Sequence, residues 1–384
     1  MKILQLHARY RIAAGEDSVV DNEAAALRRA GHEVVQLIEA NPTQAQPSVV
    51  ALARSLHNRP VARRVRDEIS RVRPDVVHVH NTWFALSSSA VKAAASCGVP
   101  VVMTVHNYRL GCLSADLFRD GAVCTACVGH SPLAGVRHRC YRGSAALSAV
   151  QATEILVTRR RGILADSVQR FVAPSQFMAD RLVDIGLPIE RLVVKPHFVT
   201  DPGPRPRPPA RSNEVVAVGR LAPGKGIDTL LDAWMIRAGG TGSMRLAVIG
   251  DGPLRGALAP PPDVDMAGWL ERDVVTDRLL RARALVMASE WYEPFGMVLI
   301  EAMAAGLPVI VTTAAGARSI VEPPEQFVAP PGNPVALARA IDALDDDTVD
   351  AVGARNRARF ASAYTEAAGV AALEALYRSA IDDV

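Results

Sequence analysis

Glu293 and Glu301 stand on either side of the Pro294-Phe295-Gly296 turn, in the window from Ser289 to Ile310. Gly296 opens a run of good helix formers, Gly306 closes it and Pro308 stops it, which predicts a short helix. Glu293 then lies in the approach loop and Glu301 inside the helix. The amides of Phe295, Gly296 and Met297 fall at the helix start, where the helix has no acceptors for its own N–H groups. Such a start suits a phosphate, and flanking carboxylates suit sugar hydroxyls. The pattern outlines a site for a sugar joined to a phosphate.

A second set of groups fits the same chemistry. Arg220 and Lys225 sit five apart in Gly219-Arg-Leu-Ala-Pro-Gly-Lys-Gly226, after a strand pattern and before a helix pattern. A guanidinium fork and an ammonium point charge, set among glycines, match a diphosphate better than a solvated turn. Gly15, in the loop after the first strand pattern, belongs to an ordinary strand–helix turn or permits close backbone approach to an anion, with Asp17 or Ser18 as the N-cap of the next helix. The segment ending in Gly268, Trp269 and Leu270 closes another strand; its backbone reaches a base edge or forms an ordinary turn. His106 ends a strand, and the carboxyl ends of strands are where an open α/β sheet binds ligands. His78 and His80, two apart on one strand, face one side; one reads as core and one as facing the ligand side. Trp83, Phe84 and Tyr108 read either as a stacking surface for a sugar acceptor or as core.

Cys112, Cys124, Cys127 and Cys140 lie in a loop-rich stretch with one C-x2-C pair. Four thiolates at that spacing admit a structural zinc, two disulfides or unrelated thiols, and His130 or His138 can replace one ligand. Cys97 reads as helix packing. Seven arginines fall between Arg54 and Arg73, and Arg159, Arg160 and Arg161 add a second cluster. A basic helix of that kind fits either an anionic membrane surface or a solvated face.

The elements that hold these groups alternate. Strand patterns at 2–7, 33–38, 75–80, 99–106 and 170–175, separated by helical sequence at 18–30 and 144–165, indicate a parallel sheet covered on both faces. Residues 200–213 carry five prolines between 202 and 209 and read as a semi-rigid linker. The alternation then restarts, with strands at 214–219, 245–250, 264–267, 284–288 and 308–312 and helices at 334–345, 347–362 and 366–381. The reading is α/β throughout: residues 1–199 as one Rossmann-like domain with an insert at 107–143, residues 214–365 as a second, and residues 366–384 as a helix crossing back to the first. A linker and crossing helix of this kind imply a hinge.

With 49% hydrophobic and 22% charged residues in 384, there is ample core and no compositional sign of disorder. No run reaches the length of a membrane span, and the N-terminus turns polar too early for a signal peptide, so the expected place is the cytoplasm, with reduced thiols. The net charge of +3 is uneven. Residues 1–199 hold 25 Lys+Arg against 16 Asp+Glu, and residues 200–384 hold 18 against 24. The basic first half fits an anionic partner or attraction between the halves.

The Ser289–Ile310 window resembles the E-x7-E signature of retaining nucleotide-sugar glycosyltransferases with the GT-B fold. Gly15, His106, Arg220, Lys225, Glu293 and Glu301 occur in the order and contexts of glycosyltransferase family 4, and the cysteine-bearing insert resembles a bacterial subgroup of it. The resemblance implies two Rossmann-like domains with sheets facing across a central cleft. It gives Arg220 and Lys225 the donor diphosphate, and Glu301 the ribose hydroxyls. Glu293 and the amides of Phe295, Gly296 and Met297 take the sugar and its near phosphate, and His106 the region of the anomeric carbon. Gly15, Gly268, Trp269 and Leu270 complete the donor set. It implies a hexosyl transfer from a UDP or GDP sugar to a hydroxyl acceptor by a front-face route, with no cofactor for catalysis and no nucleic-acid partner. The chain departs from the family at Ala14, where a second glycine is common, and at His197-Phe198, in place of Asn-Gly. Rival readings from the same residues are a glycoside hydrolase using Glu293 and Glu301, an epimerase or phosphorylase of the same fold, and a sugar-nucleotide sensor without transfer.

Overall fold

The computed structural model describes residues 1–10, 15–41, 57–237, 244–314 and 316–383; Ala13, Ala14 and Arg54 lie outside them. The chain divides into two compact units. Unit 1 comprises Met1–Leu117, Thr125–His197 and Gly369–Val384; unit 2 comprises Phe118–Cys124 and Phe198–Ala368.

In unit 1 the chain runs β1 (Lys2–Arg9), α1 (Gly15–Arg29), β2 (Glu33–Ala40), α2 (Arg59–Val72), β3 (Val76–Val79), α3 (Ser87–Ala95) and β4 (Val101–Thr104). The hairpin β5 (Phe118–Arg119) and β6 (Ala122–Val123) belongs to unit 2. Then come α4 (Leu133–Arg137), α5 (Ala145–Arg160), α6 (Ile163–Ser167), β7 (Arg170–Ala173), α7 (Gln176–Ile185) and β8 (Leu192–Val194). The six long-range strands form one parallel sheet in the order β2-β1-β3-β4-β7-β8. Its central strands are apolar runs buried on both faces, the pattern of a sheet covered by helices on either side. The order reverses direction between β1 and β3, so a crevice opens there at the carboxyl ends of the strands.

Unit 2 repeats the plan with β9 (Glu214–Val218), α8 (Ile227–Arg237), β10 (Arg245–Ile249), β11 (Val264–Gly268), α9 (Arg272–Arg281), β12 (Ala284–Met287), α10 (Met297–Ala304), β13 (Val309–Thr312), α11 (Ala317–Val321), β14 (Val328–Ala329), α12 (Pro334–Asp342) and α13 (Asp346–Ala363). The last helix, α14 (Glu366–Ile381), starts in unit 2 and runs on in unit 1. The sheet is parallel in the order β11-β10-β9-β12-β13-β14, and its switch point lies between β9 and β12. The fold is α/β with two parallel-sheet Rossmann-like domains. No helix among the described residues is long and apolar enough to cross a membrane.

Several local expectations need correction. The helix foreseen over 144–165 is two, because Gly162 takes a left-handed conformation between α5 and α6. Helix α1 begins at Gly15, so Asp17 is no N-cap; it lies in the first turn, buried, bonded to His7 Nε2 at 2.7 Å. Cys97 sits beyond the end of α3, half-buried. Tyr108 is fully buried, so it is core and not a stacking surface. The Pro-rich stretch packs within unit 2 through Arg205, whose guanidinium donates to the carbonyls of Ala282, Ala305 and Gly306 at 2.7–3.1 Å. It therefore caps the carboxyl end of α10, where a cation suits the helix dipole.

Candidate active site

The unit 2 groups gather at its switch point. Strand β9 delivers the loop of Arg220 and Lys225, and β12 delivers the loop of Glu293. The two loops lock together through backbone: the amides of Glu290 and Trp291 donate to the carbonyl of Gly224 at 2.8 and 3.3 Å. Gly226 has φ +65°, and a Cβ there would lie 2.0 Å from the carbonyl oxygen of Ala288, so no other residue fits this contact.

On that base Lys225 Nζ donates to Glu293 Oε2 at 2.6 Å. The same oxygen accepts from Trp291 Nε1 at 2.9 Å and lies 3.4 Å from Ser289 Oγ. Lys225 also sits 4.6 Å from the Trp291 ring centroid. Glu293 is buried and Lys225 is half-buried. The carboxylate is thus fixed by three donors at one oxygen. The hairpin contributes Phe118, whose ring would lie 3.1 Å from a Cβ at Gly224. Arg220 is exposed and has no ion-pair partner among the described residues, which leaves its guanidinium available to an anion.

Helix α10 starts beside this cluster. Gly296 is its N-cap at φ +84°, with no side chain to satisfy the first turn. The amide of Leu299 bonds back to Gly296 at 2.9 Å, so the amides of Gly296 and Met297 come before the helix ladder begins. Phe295 is buried against the apolar layer containing Leu299 and Met303. Glu301 is half-buried one turn on; burial raises its pKa, and Arg272, 3.8 Å away, works against that rise. Gly268 ends β11 at φ +74°, Trp269 is exposed and Leu270 is half-buried. Arg357 donates to Ala304 at 2.7 Å and so joins Arg205 in holding the far end of α10.

Unit 1 differs in kind. Its strands and the segments that follow them carry His7, His78, His80, His106, Lys195 and His197, and α1 carries Glu23. His78 and His80 are both buried, which corrects the expectation that one faces the ligand side; His106 is the half-buried member. His106 stacks on His197 with centroids 5.2 Å apart. Burial pushes the His78 imidazole down to about 4 and that of His197 to about 3, and holds His80 and His106 well below the usual range. Glu23, His78 and His80 bring three ligand atoms within 4.8 Å, the group of that kind among the described residues. Their chemistry opposes a metal. Lys195 Nζ bonds Glu23 Oε1, while Tyr377 Oη and Thr104 Oγ1 lie 2.8 Å from the two nitrogens of His78. An ammonium already neutralises the carboxylate. Sequence reasoning did not single out Glu23, Lys195 or Tyr377, because their partners are up to 299 residues distant.

Gly15 opens α1 and is exposed. Beside it, Glu16 is pushed up to about 7, first by burial, and Asn107 Nδ2 reaches both Tyr10 Oη and Glu16 Oε2, at 3.2 and 3.4 Å. Of the insert cysteines, Cys112, Cys127 and Cys140 belong to unit 1 and Cys124 to unit 2. A zinc tetrahedron needs sulfurs about 3.8 Å apart. The three unit 1 sulfurs do not form a group within 4.8 Å.

Comparison with known proteins agrees with this division. Residues 15–201 match Glycosyltransferase Family 4, and residues 212–347 match Glycosyl transferases group 1. The putative teichuronic acid biosynthesis glycosyltransferase TuaC of Bacillus subtilis is 25% identical over 72% of this chain and 62% of its own length. A glycogen synthase of Mycobacterium tuberculosis is 26% identical over 75% of this chain and 64% of its own. The chain spans less than two-thirds of the length of these curated relatives. Among solved structures, sucrose-phosphate synthase from Thermosynechococcus elongatus superposes with a TM-score of 0.72 at 19% identity, covering 100% of both chains. Anabaena HepE in complex with UDP gives 0.67 at 18% identity over 98% of this chain and 99% of its own. Residues 15–201 are therefore similar to family 4 and residues 212–347 to group 1 glycosyltransferases, on the GT-B fold.

Proposed function

We propose that the protein is a retaining glycosyltransferase that moves a hexosyl group from a UDP or GDP sugar to a hydroxyl acceptor. The observation that carries this is the Lys225–Glu293 pair at the unit 2 switch point, beside the open start of α10. Lys225 and Arg220 meet the diphosphate, and the amides of Gly296 and Met297, with that of Phe295, meet its near phosphate and the sugar. Glu293 accepts from sugar hydroxyls, Glu301 from the ribose, and the β11 end at Gly268, Trp269 and Leu270 from the base. His106 is assigned to the sugar and Gly15 to the phosphate. Solved structures of HepE with UDP and with UDP-glucose support the donor class.

In the reaction the bond between the anomeric carbon and the phosphate oxygen breaks, and the acceptor oxygen bonds to that carbon from the same face. The acceptor proton passes to the departing phosphate oxygen. Charge that grows on the diphosphate is met by preorganised cations and amides, so the step asks no divalent metal for countercharge. On α2, Arg59, Arg63 and Arg66 are exposed, while Val61, Val65, Ile69 and Val72 face the core. That arrangement supports electrostatic contact with an anionic membrane without insertion.

Thermal melting with UDP, GDP and ADP tests the donor, because a ligand stabilises in proportion to its occupancy. UDP or GDP is expected to raise Tm, and Lys225→Ala to erase the rise. Proton NMR of the first-formed product is expected to show the donor's anomeric configuration. No shift with any nucleotide, or an inverted product, would overturn the reading.

A further inference from the structure

Glu23 on α1, His80 after β3 and His106 after β4 form one line beneath the strand ends of unit 1. His80 is 2% exposed and Glu23 1%. His80 Nδ1 lies 3.1 Å from His106 Nε2, while its other nitrogen, Nε2, lies 3.8 Å from Glu23 Oε2. Those last two atoms are buried, and neither has a hydrogen-bond partner. Glu23 remains ionised: burial alone would raise it, but the Lys195 ammonium bonded to its other oxygen outweighs burial and holds it low. Burial keeps both imidazoles neutral.

A neutral imidazole has one N–H and one bare nitrogen. With the His80 proton on Nδ1, a lone pair would face a carboxylate oxygen in the dry interior, where such repulsion is strong. With the proton on Nε2, the N–H dipole points at that charge. The carboxylate therefore selects the Nε2–H form of His80. His80 Nδ1 must then accept, so His106 donates through its own Nε2–H and its Nδ1 is bare. Tyr377 and Thr104 fix the neighbouring His78, whose ring lies 4.1 Å from that of His80, so the line has little freedom to rotate.

We propose that His80, oriented by Glu23, is a positioning residue that locks His106 as the Nε2–H tautomer, so that the bare Nδ1 of His106 accepts a hydrogen bond from a sugar hydroxyl. The hydroxyl partner rests on the assignment of His106 to the sugar; the tautomer does not.

Nitrogen-15 NMR of the full chain at neutral pH tests the tautomer, with the His106 signals assigned by their loss in His106→Gln. Wild type is expected to show a protonated Nε2 and a bare Nδ1. His80→Leu should mix the two tautomers and lower kcat/KM about tenfold to a hundredfold, the worth of one desolvated hydrogen bond. His80→Asn, whose Oδ1 can stand in for the accepting nitrogen, should restore most of both. A wild-type Nδ1–H signal overturns the proposal, even if His80→Leu fails to fold. So does unchanged kcat/KM in folded His80→Leu, or a folded His80→Asn no better than His80→Leu. If no nucleotide sugar is turned over, the transferase reading falls, and the wild-type spectrum still decides the tautomer.

Discussion

The two units place polar groups at equivalent points, the switch points of two parallel sheets, yet use them in opposite ways. In unit 1 Glu23, Lys195 and the histidines, apart from half-buried His106, are buried, and the group is bonded mainly within itself. In unit 2 Arg220 is exposed and Lys225 half-buried, and the buried Glu293 is held ready by Lys225 and Trp291. A buried polar network whose members hold one another rigidifies; a half-exposed pair of cations can exchange partners for an anion. On the proposed function, the contrast gives charge recognition to unit 2 and orientation to unit 1.

The strongest way to break this contrast is at Lys225. Its replacement by Ala is expected to lower kcat about 10²–10³-fold if it acts on charge in the transition state. Steady-state transfer assays check this, and an unchanged kcat would put the charge recognition elsewhere. Gly226→Ala should come next. Its Cβ would clash with the Ala288 carbonyl, so the loops must part, at a cost of about 3 kcal/mol or more. Chemical denaturation should show a lower midpoint, with nucleotide binding weakened as well; a neutral variant would mean that the loops need not interlock.

Acid sharpens the comparison from the unit 1 side. His78, His80, His106 and His197 have folded pKa values below their unfolded ones, so between about pH 6.5 and 4 the unfolded chain binds more protons and stability falls as pH falls. Glu16 and Glu154, both raised to about 7, act in the opposite direction over about pH 7 to 4.5. Glu301, raised by burial, acts with them; four histidines against three carboxyls still predict a net loss of Tm between neutral pH and pH 5, read by calorimetry. A rise would mean that the carboxyls dominate. The smallest expected effect lies at the edge of unit 1. Asn58 caps α2 by accepting from Val61 N at 3.2 Å and donates to Ala85 O at 2.8 Å, and Asn58→Ala should cost about 2 kcal/mol without changing kcat.

What could be read from residue order follows the same division. The helix start at Gly296 and the strands leading to the loops of Arg220 and Glu293 were legible because Gly, Pro and cations mark turns locally. Strand β14 was not, being only Val328–Ala329. Nor was the burial of His80, since strands covered on both faces erase the alternation that separates inside from outside. The roles of Glu23 and Tyr377 depend on contacts that no local pattern encodes. Asp17 was misread as a cap because its type suits one; the structure spends its carboxylate on His7 instead.

One consequence follows from the final helix. Gly369–Val384 belongs to unit 1, although unit 2 separates it from the rest of that unit in the chain. Tyr377 arrives from it to meet His78, and Arg170 pairs with Asp383. A ribosome must therefore finish unit 2 before unit 1 receives its last layer, and a nascent chain stopped at residue 368 would hold a sheet whose histidine floor lacks a cover.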